Sequence, residues 1–187
     1  MIKSALRFVL ISSLLLLIFT FTVSANNDSK IGFSLSGEFG LYSSIPAKEH
    51  NDALPVRNHL TAGLNASSII GITKDFEIDL GLSSYYTTYS FLYDLTRWRP
   101  FVLVGPTVEL TYHFNKRFAL SLNSSFMFQI YTQTLEFIAF PRVALKGSLK
   151  LSKNFALIVP IAVDIRKEHV SLATTIGIKW RVGKYYE

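Results

Sequence analysis

Asn115-Lys116-Arg117-Phe118, running on into Ala119-Leu120-Ser121-Leu122, decides how this chain is read. Three polar residues make a short turn, an aromatic closes it, and polar and apolar residues then alternate. The same phrase occurs twice more. Thr73-Lys74-Asp75-Phe76 leads into Glu77-Ile78-Asp79-Leu80, and Ser152-Lys153-Asn154-Phe155 leads into Ala156-Leu157-Ile158-Val159. The three lysines stand 42 and 37 residues apart. That spacing holds two strands, a tight turn and one longer connection, so it predicts an antiparallel meander with its tight turns all at one end.

Outward from these turns the chain alternates with period 2 in eight windows: residues 31–42, 59–72, 76–87, 101–113, 118–131, 137–150, 155–165 and 170–182. Period 2 excludes amphipathic helices there. The windows run 11 to 14 residues, longer than the roughly five or six of soluble sheets and enough for the ~9–11 of a tilted membrane strand. Pro141, at the start of the sixth window, predicts a bulge. Pro106 and Pro160 each remove a ladder donor from inside a strand.

Residues 1–25 stand apart. Lys3 and Arg7 precede a nearly unbroken apolar run over residues 8–23, and Val23-Ser24-Ala25 supplies small residues for cleavage. The pattern predicts a secretory signal peptide removed after Ala25, with residues 26–187 forming one β-barrel domain. The apolar run is shorter than the roughly 20 residues of a spanning helix. The chain has no cysteine, so no disulfide framework is available to an exported protein. Its formal charge is +6, two of those charges leave with the leader, and the rest are scattered. No nucleic-acid partner is expected.

Alternation alone fits both a membrane barrel and a soluble, lipocalin-like one. The polar face separates them. A soluble barrel shows water a face rich in Lys, Glu, Asp and Arg, whereas here that face is mainly Gly, Ala, Ser, Thr and Asn. Small polar residues suit the crowded lumen of an eight-stranded barrel, and an apolar face without mid-strand charge suits lipid. Aromatics fall at both ends of the strands, as two interfacial girdles require. Phe76, Tyr112, Phe118, Phe155 and Trp180 lie at the tight-turn end; Tyr42, Tyr86, Tyr89 and Trp98 lie towards the other. The expected fold is an all-β, eight-stranded antiparallel up-and-down transmembrane barrel.

With its leader, eight amphipathic strands, tight turns at one end and longer loops at the other, the chain resembles the small eight-stranded outer-membrane barrels of Gram-negative-type bacteria. The resemblance is one of pattern over residues 31–186. It implies an outer-membrane location, outer-membrane lipids and the barrel-assembly machinery as partners, and Lys74, Lys116 and Lys153 on the periplasmic side. Such barrels usually end in an aromatic residue, whereas Tyr186 here is followed by Glu187.

Inward-facing charge divides by strand. Glu38, Glu77, Asp79 and Glu109 belong to the first, third and fourth strands, Asp164 to the seventh, and Arg142, Lys146, Lys150, Lys179 and Arg181 to the sixth and eighth. Buried charges must be paired, so these residues are expected to form a polar plug. Sheet closure is expected to bring Glu38 to Lys179 or a neighbour, with His113 and Glu109 on one inward face. The four histidines have no metal-ligand spacing, and there is no nucleotide loop or nucleophile elbow. No catalytic, cofactor or metal site is expected. His169-Val170-Ser171 is similar to the His-x-Ser pair of outer-membrane lipid A deacylases but lacks the acidic partner.

Residues 43–56 and 88–99 form the longest loops. The second carries Tyr, Trp and Arg, residue types that dominate binding surfaces; the leading reading is an interfacial aromatic belt with nothing specific bound, and a host or surface ligand held through the two loops is the alternative. The leading expectation is an integral outer-membrane barrel with a structural or surface-interaction role. A narrow, porin-like channel for small apolar solutes ranks next, then a lipid A-modifying enzyme, then a soluble ligand binder.

Overall fold

The computed structural model describes residues 31–46, 57–90, 100–131, 137–166 and 169–183. The leader with its Ala25 site and the central parts of both long loops lie outside the described residues. Eight strands form: β1 Ile31–Pro46, β2 Arg57–Gly71, β3 Phe76–Ser90, β4 Phe101–His113, β5 Phe118–Tyr131, β6 Phe137–Lys150, β7 Phe155–Ile165 and β8 His169–Gly183. Each pairs antiparallel with its sequence neighbours, and β8 pairs with β1 to close the barrel. Partners traced round the wall run Ser34, Ser67, Gly81, Thr107, Ser125, Arg142, Asp164, Ser171 and return to β1 at Ser44. The trace comes back ten residues from where it began. This stagger tilts the strands by roughly 40° to the barrel axis and leaves a lumen that side chains fill.

The repeated turn phrase has one physical meaning in all three places. Thr73 Oγ1 accepts a hydrogen bond from the Phe76 N–H at 3.1 Å, Asn115 Oδ1 from the Phe118 N–H at 2.9 Å, and Ser152 Oγ from the Phe155 N–H at 3.2 Å. A short polar side chain thus holds the reversal that its own backbone makes. The third residue of each phrase ties the turn to the next hairpin. The carbonyls of Asp75, Arg117 and Asn154 accept from the N–H groups of His113, Lys150 and Arg181 at 2.7 to 2.8 Å.

The prolines act differently from expectation. Pro141 pairs with Phe126 in an unbroken β5–β6 register, so there is no bulge there. The β6–β7 ladder instead begins one residue later, at Arg142, because Pro141 has no N–H to offer. Pairing lapses at Pro106 against β5 and at Pro160 against β8, and the register resumes unshifted beyond each. Among the described residues the register shifts between β2 and β3, at His59/Thr61. β1 and β3 run on to Pro46 and Ser90, and β8 starts at His169, so the outer strands enter the segments expected to be loops.

The barrel is inside out. Leu35, Phe39, Leu64, Leu80, Val108, Leu122, Leu145, Ile161 and Ile178 are exposed on the wall, while Glu38, Asp79, Glu109, Arg142, Lys146 and Asp164 are buried. A belt of apolar side chains on every strand far exceeds the few hundred Å² of apolar patch that a soluble monomer tolerates. It suits a hydrocarbon solvent.

Candidate functional site in the barrel lumen

Two charged clusters occupy the lumen. The first lies towards the tight turns. Lys179 on β8 reaches across to β3 and β4, placing Nζ 2.5 Å from Asp79 Oδ2 and 3.1 Å from Glu109 Oε1. Glu109 Oε2 accepts from Lys146 Nζ of β6 at 2.8 Å. Lys146 is also 3.9 Å from Glu38 on β1. Glu77 accepts from Arg181, and its Oε1 lies 2.6 Å from His113 Nε2. Glu38 is held further by Asn65 Nδ2 at 2.7 Å and Thr175 Oγ1 at 3.0 Å. All of this follows from period 2: each side chain occupies an inward position, and the short Ser, Thr, Gly and Ala neighbours leave room for long ones to cross.

The second cluster lies towards the loops. Arg142 donates to Asp164 through Nε at 2.5 Å and NH2 at 3.2 Å. The Tyr42 hydroxyl donates to Asp164 Oδ2 at 2.8 Å. Arg166, the residue after β7, folds inward and donates to Gln129 and to the Tyr42 oxygen. Tyr85 links the clusters. Its hydroxyl donates to Glu38 Oε2 at 3.4 Å, and the Arg142 guanidinium carbon sits 4.6 Å from its ring centroid. Gly63 is the floor under that ring, since a Cβ there would come within 2.4 Å of the ring carbons.

Nine of the ten expected lumen charges meet in these clusters: Glu38, Glu77, Asp79, Glu109, Arg142, Lys146, Asp164, Lys179 and Arg181. Lys150 does not. It sits on the inward parity, but at the last residue of β6, where the lumen opens at the tight-turn end, and it is exposed. The partners are finer than expected: Lys179 joins Asp79 and Glu109 while Glu38 meets its β8 neighbour Thr175, and His113, on the same parity of β4 as Glu109, pairs with Glu77. Tyr42 is a further correction. It shares the parity of Glu38 and Gly40, is 1% exposed, and belongs to the lumen rather than to an interfacial girdle.

Phe76, Tyr112, Phe118, Phe155, Trp180 and Tyr86 point outward. Phe76 and Tyr112 stack at 4.8 Å between centroids. Tyr89 lies within β3, and Trp98 lies outside the described residues. Ser171 is fully buried with its hydroxyl 3.2 Å from that of Ser44, a place where it cannot meet a lipid ester. Arg166 and Tyr85 are cluster members beyond the expected set, although the alternation that reaches Asp164 continues to Arg166; Gln129 lies on the inward parity of β5 with Asn123 and Ser125.

Between the side chains near the tight turns a polar cavity of about 30 Å³ remains, lined by Ser34, Ser67, Asp79, Thr107 and Lys179 among others. It has room for water. Among the described residues the two clusters hold five carboxylates, Glu38, Glu77, Asp79, Glu109 and Asp164, against five cations, Arg142, Lys146, Arg166, Lys179 and Arg181.

Neither a protein-family model nor a curated protein matches the chain. Solved structures match it in fold. Neisserial surface protein A is 12% identical with a TM-score of 0.54, over 79% of this chain and 96% of that one. The attachment invasion locus protein of Yersinia pestis is 11% identical with a TM-score of 0.50, over 81% of this chain and 98% of that one. The same Yersinia protein in a phospholipid bilayer nanodisc gives 12%, 0.50, 81% and 99%. At these identities the likeness is one of fold. The chain has the closed, eight-stranded, up-and-down architecture found in small outer-membrane barrels.

Proposed function

We propose that the protein is an integral outer-membrane barrel whose polar lumen is closed by its own side chains, and that it serves a structural or surface-interaction role. The observation that carries this is the Lys179 ammonium, buried and bonded to Asp79 and Glu109 across the lumen. A solute path through this level has to break charged hydrogen bonds whose loss costs several kcal/mol. The apolar wall and the expected cleavage after Ala25 support export to a membrane, where lipids and the assembly machinery are the partners. The loops at 43–56 and 88–99 are where an external ligand would bind, because the cavity between the lumen side chains near the tight turns has a volume of about 30 Å³, room for water.

Planar-bilayer recording tests the closed lumen. Protein folded from a native membrane fraction, its barrel verified by the heat-dependent shift in gel migration, is expected to give no stable conductance steps. Sustained steps from the folded form would establish the narrow channel instead.

A further inference from the structure

The loop end of the lumen holds an arrangement that barrel closure does not require. The Arg166 side chain is only 6% exposed. Its guanidinium carbon lies 4.1 Å from the Phe140 ring centroid and 5.9 Å from those of Tyr42 and Phe101. NH1 donates to Gln129 Oε1, NH2 donates to the Tyr42 oxygen, and Asp164 Oδ2 is 3.5 Å from NH2. Ring faces, a phenol, an amide and a carboxylate, drawn from β1, β4, β5, β6 and β7, converge on one planar cation. That set is what recognition of a guanidinium requires. The fit is incomplete, because Arg166 Nε and Gln129 Nε2 are buried without a hydrogen-bond partner. Unsatisfied buried donors weaken the contact by their desolvation.

We propose that the loop-end mouth is a guanidinium-binding site which the protein fills with its own Arg166, so that this side chain is a latch over the lumen. Small planar cations of the guanidinium class are the ligands that fit the site once the Arg166 side chain is removed from it. The latch closes the lumen above the Lys179 level and makes no direct contact with Lys179.

Cysteine accessibility tests this, because the natural chain has no cysteine to interfere. Ala162 is inward-facing, 6% exposed and two residues deeper on β7 than Asp164. In full-length protein carrying Ala162→Cys, folded in lipid nanodiscs, alkylation by N-ethylmaleimide should be slow. Adding Arg166→Ala should speed it about tenfold, the factor expected for loss of a desolvated cation–π and hydrogen-bonded contact. Methylguanidinium should slow the reaction again in Arg166→Ala and leave the Arg166 background unchanged. Phe140→Leu keeps Arg166 but thins one wall, and it should give a smaller increase. No increase in either variant overturns the latch. An increase that methylguanidinium fails to reverse overturns the guanidinium site.

Discussion

Replacing Lys179 with methionine keeps much of the side-chain length and removes the charge that joins β8 to β3 and β4. Asp79 then loses its ammonium partner at 2.5 Å, and its other oxygen already lacks one. Glu109 keeps Lys146 at 2.8 Å. The variant therefore holds one orphaned buried carboxylate, and removing one member of a buried pair costs about 3–5 kcal/mol. Against a total of roughly 5–15 kcal/mol for a folded domain, this is a large loss. Equilibrium urea unfolding in lipid vesicles, followed by gel mobility, should show a much lower midpoint at unchanged slope. Removing both charges, as in Lys179→Met with Asp79→Leu, should recover most of the loss. Acidification should also narrow the gap to wild type, because protonating the orphaned carboxylate removes the uncompensated charge. A cost for Lys179→Met below about 1 kcal/mol, or a double variant as unstable as the single one, would refute the assignment of this contact as buried and coupled.

The outer wall and the turns give two further expectations. Leu122→Arg, mid-strand on the exposed face of β5, should cost about 2–4 kcal/mol in a bilayer, while Leu151→Arg at the tight-turn end should cost about 0–1 kcal/mol; equal costs in urea unfolding would contradict a lipid-facing band. Asn115→Ala removes the acceptor for two backbone N–H groups, those of Arg117 and Phe118, and should destabilise by roughly 0.5–1.5 kcal/mol, whereas Lys116→Ala should be silent in the same measurement.

The strands and their inward sets were legible because period 2 is a local property: Ser34, Ser36 and Glu38 share a face whatever β1 pairs with. The tight turns were legible for the same reason, since Thr73, Asn115 and Ser152 act within four residues. Errors arose where residue type was allowed to outweigh parity. Tyr42 is an aromatic near a strand end and so suggests a girdle, yet its even number aligns it with Glu38. Lys150 shows the converse, since parity gives the face but not the depth, and the last inward position of β6 is outside the packed lumen. Partner choice was not legible at all. Lys179 meets Asp79 and not Glu38 because the strands are staggered by ten residues round the barrel, and that stagger is set by eight separate registers.

The distribution of charge between the clusters bears on the proposed closure of the lumen. The cluster near the tight turns holds four carboxylates and three Lys or Arg, the cluster near the loops one carboxylate and two Arg. Neither is neutral alone with His113 uncharged. The Tyr85 hydroxyl on Glu38 and the Arg142 guanidinium over its ring join them, so the surplus negative charge of one half faces the surplus positive charge of the other along the axis. On the proposed reading, closure rests on two levels, one at Lys179 and one at Arg166. Loosening the Arg166 level is then expected to expose Ala162 without opening a path through, and loosening the Lys179 level to cost stability before it yields conductance. A single conductance measurement on wild type therefore reports the pair, and only variants at each level separate their contributions.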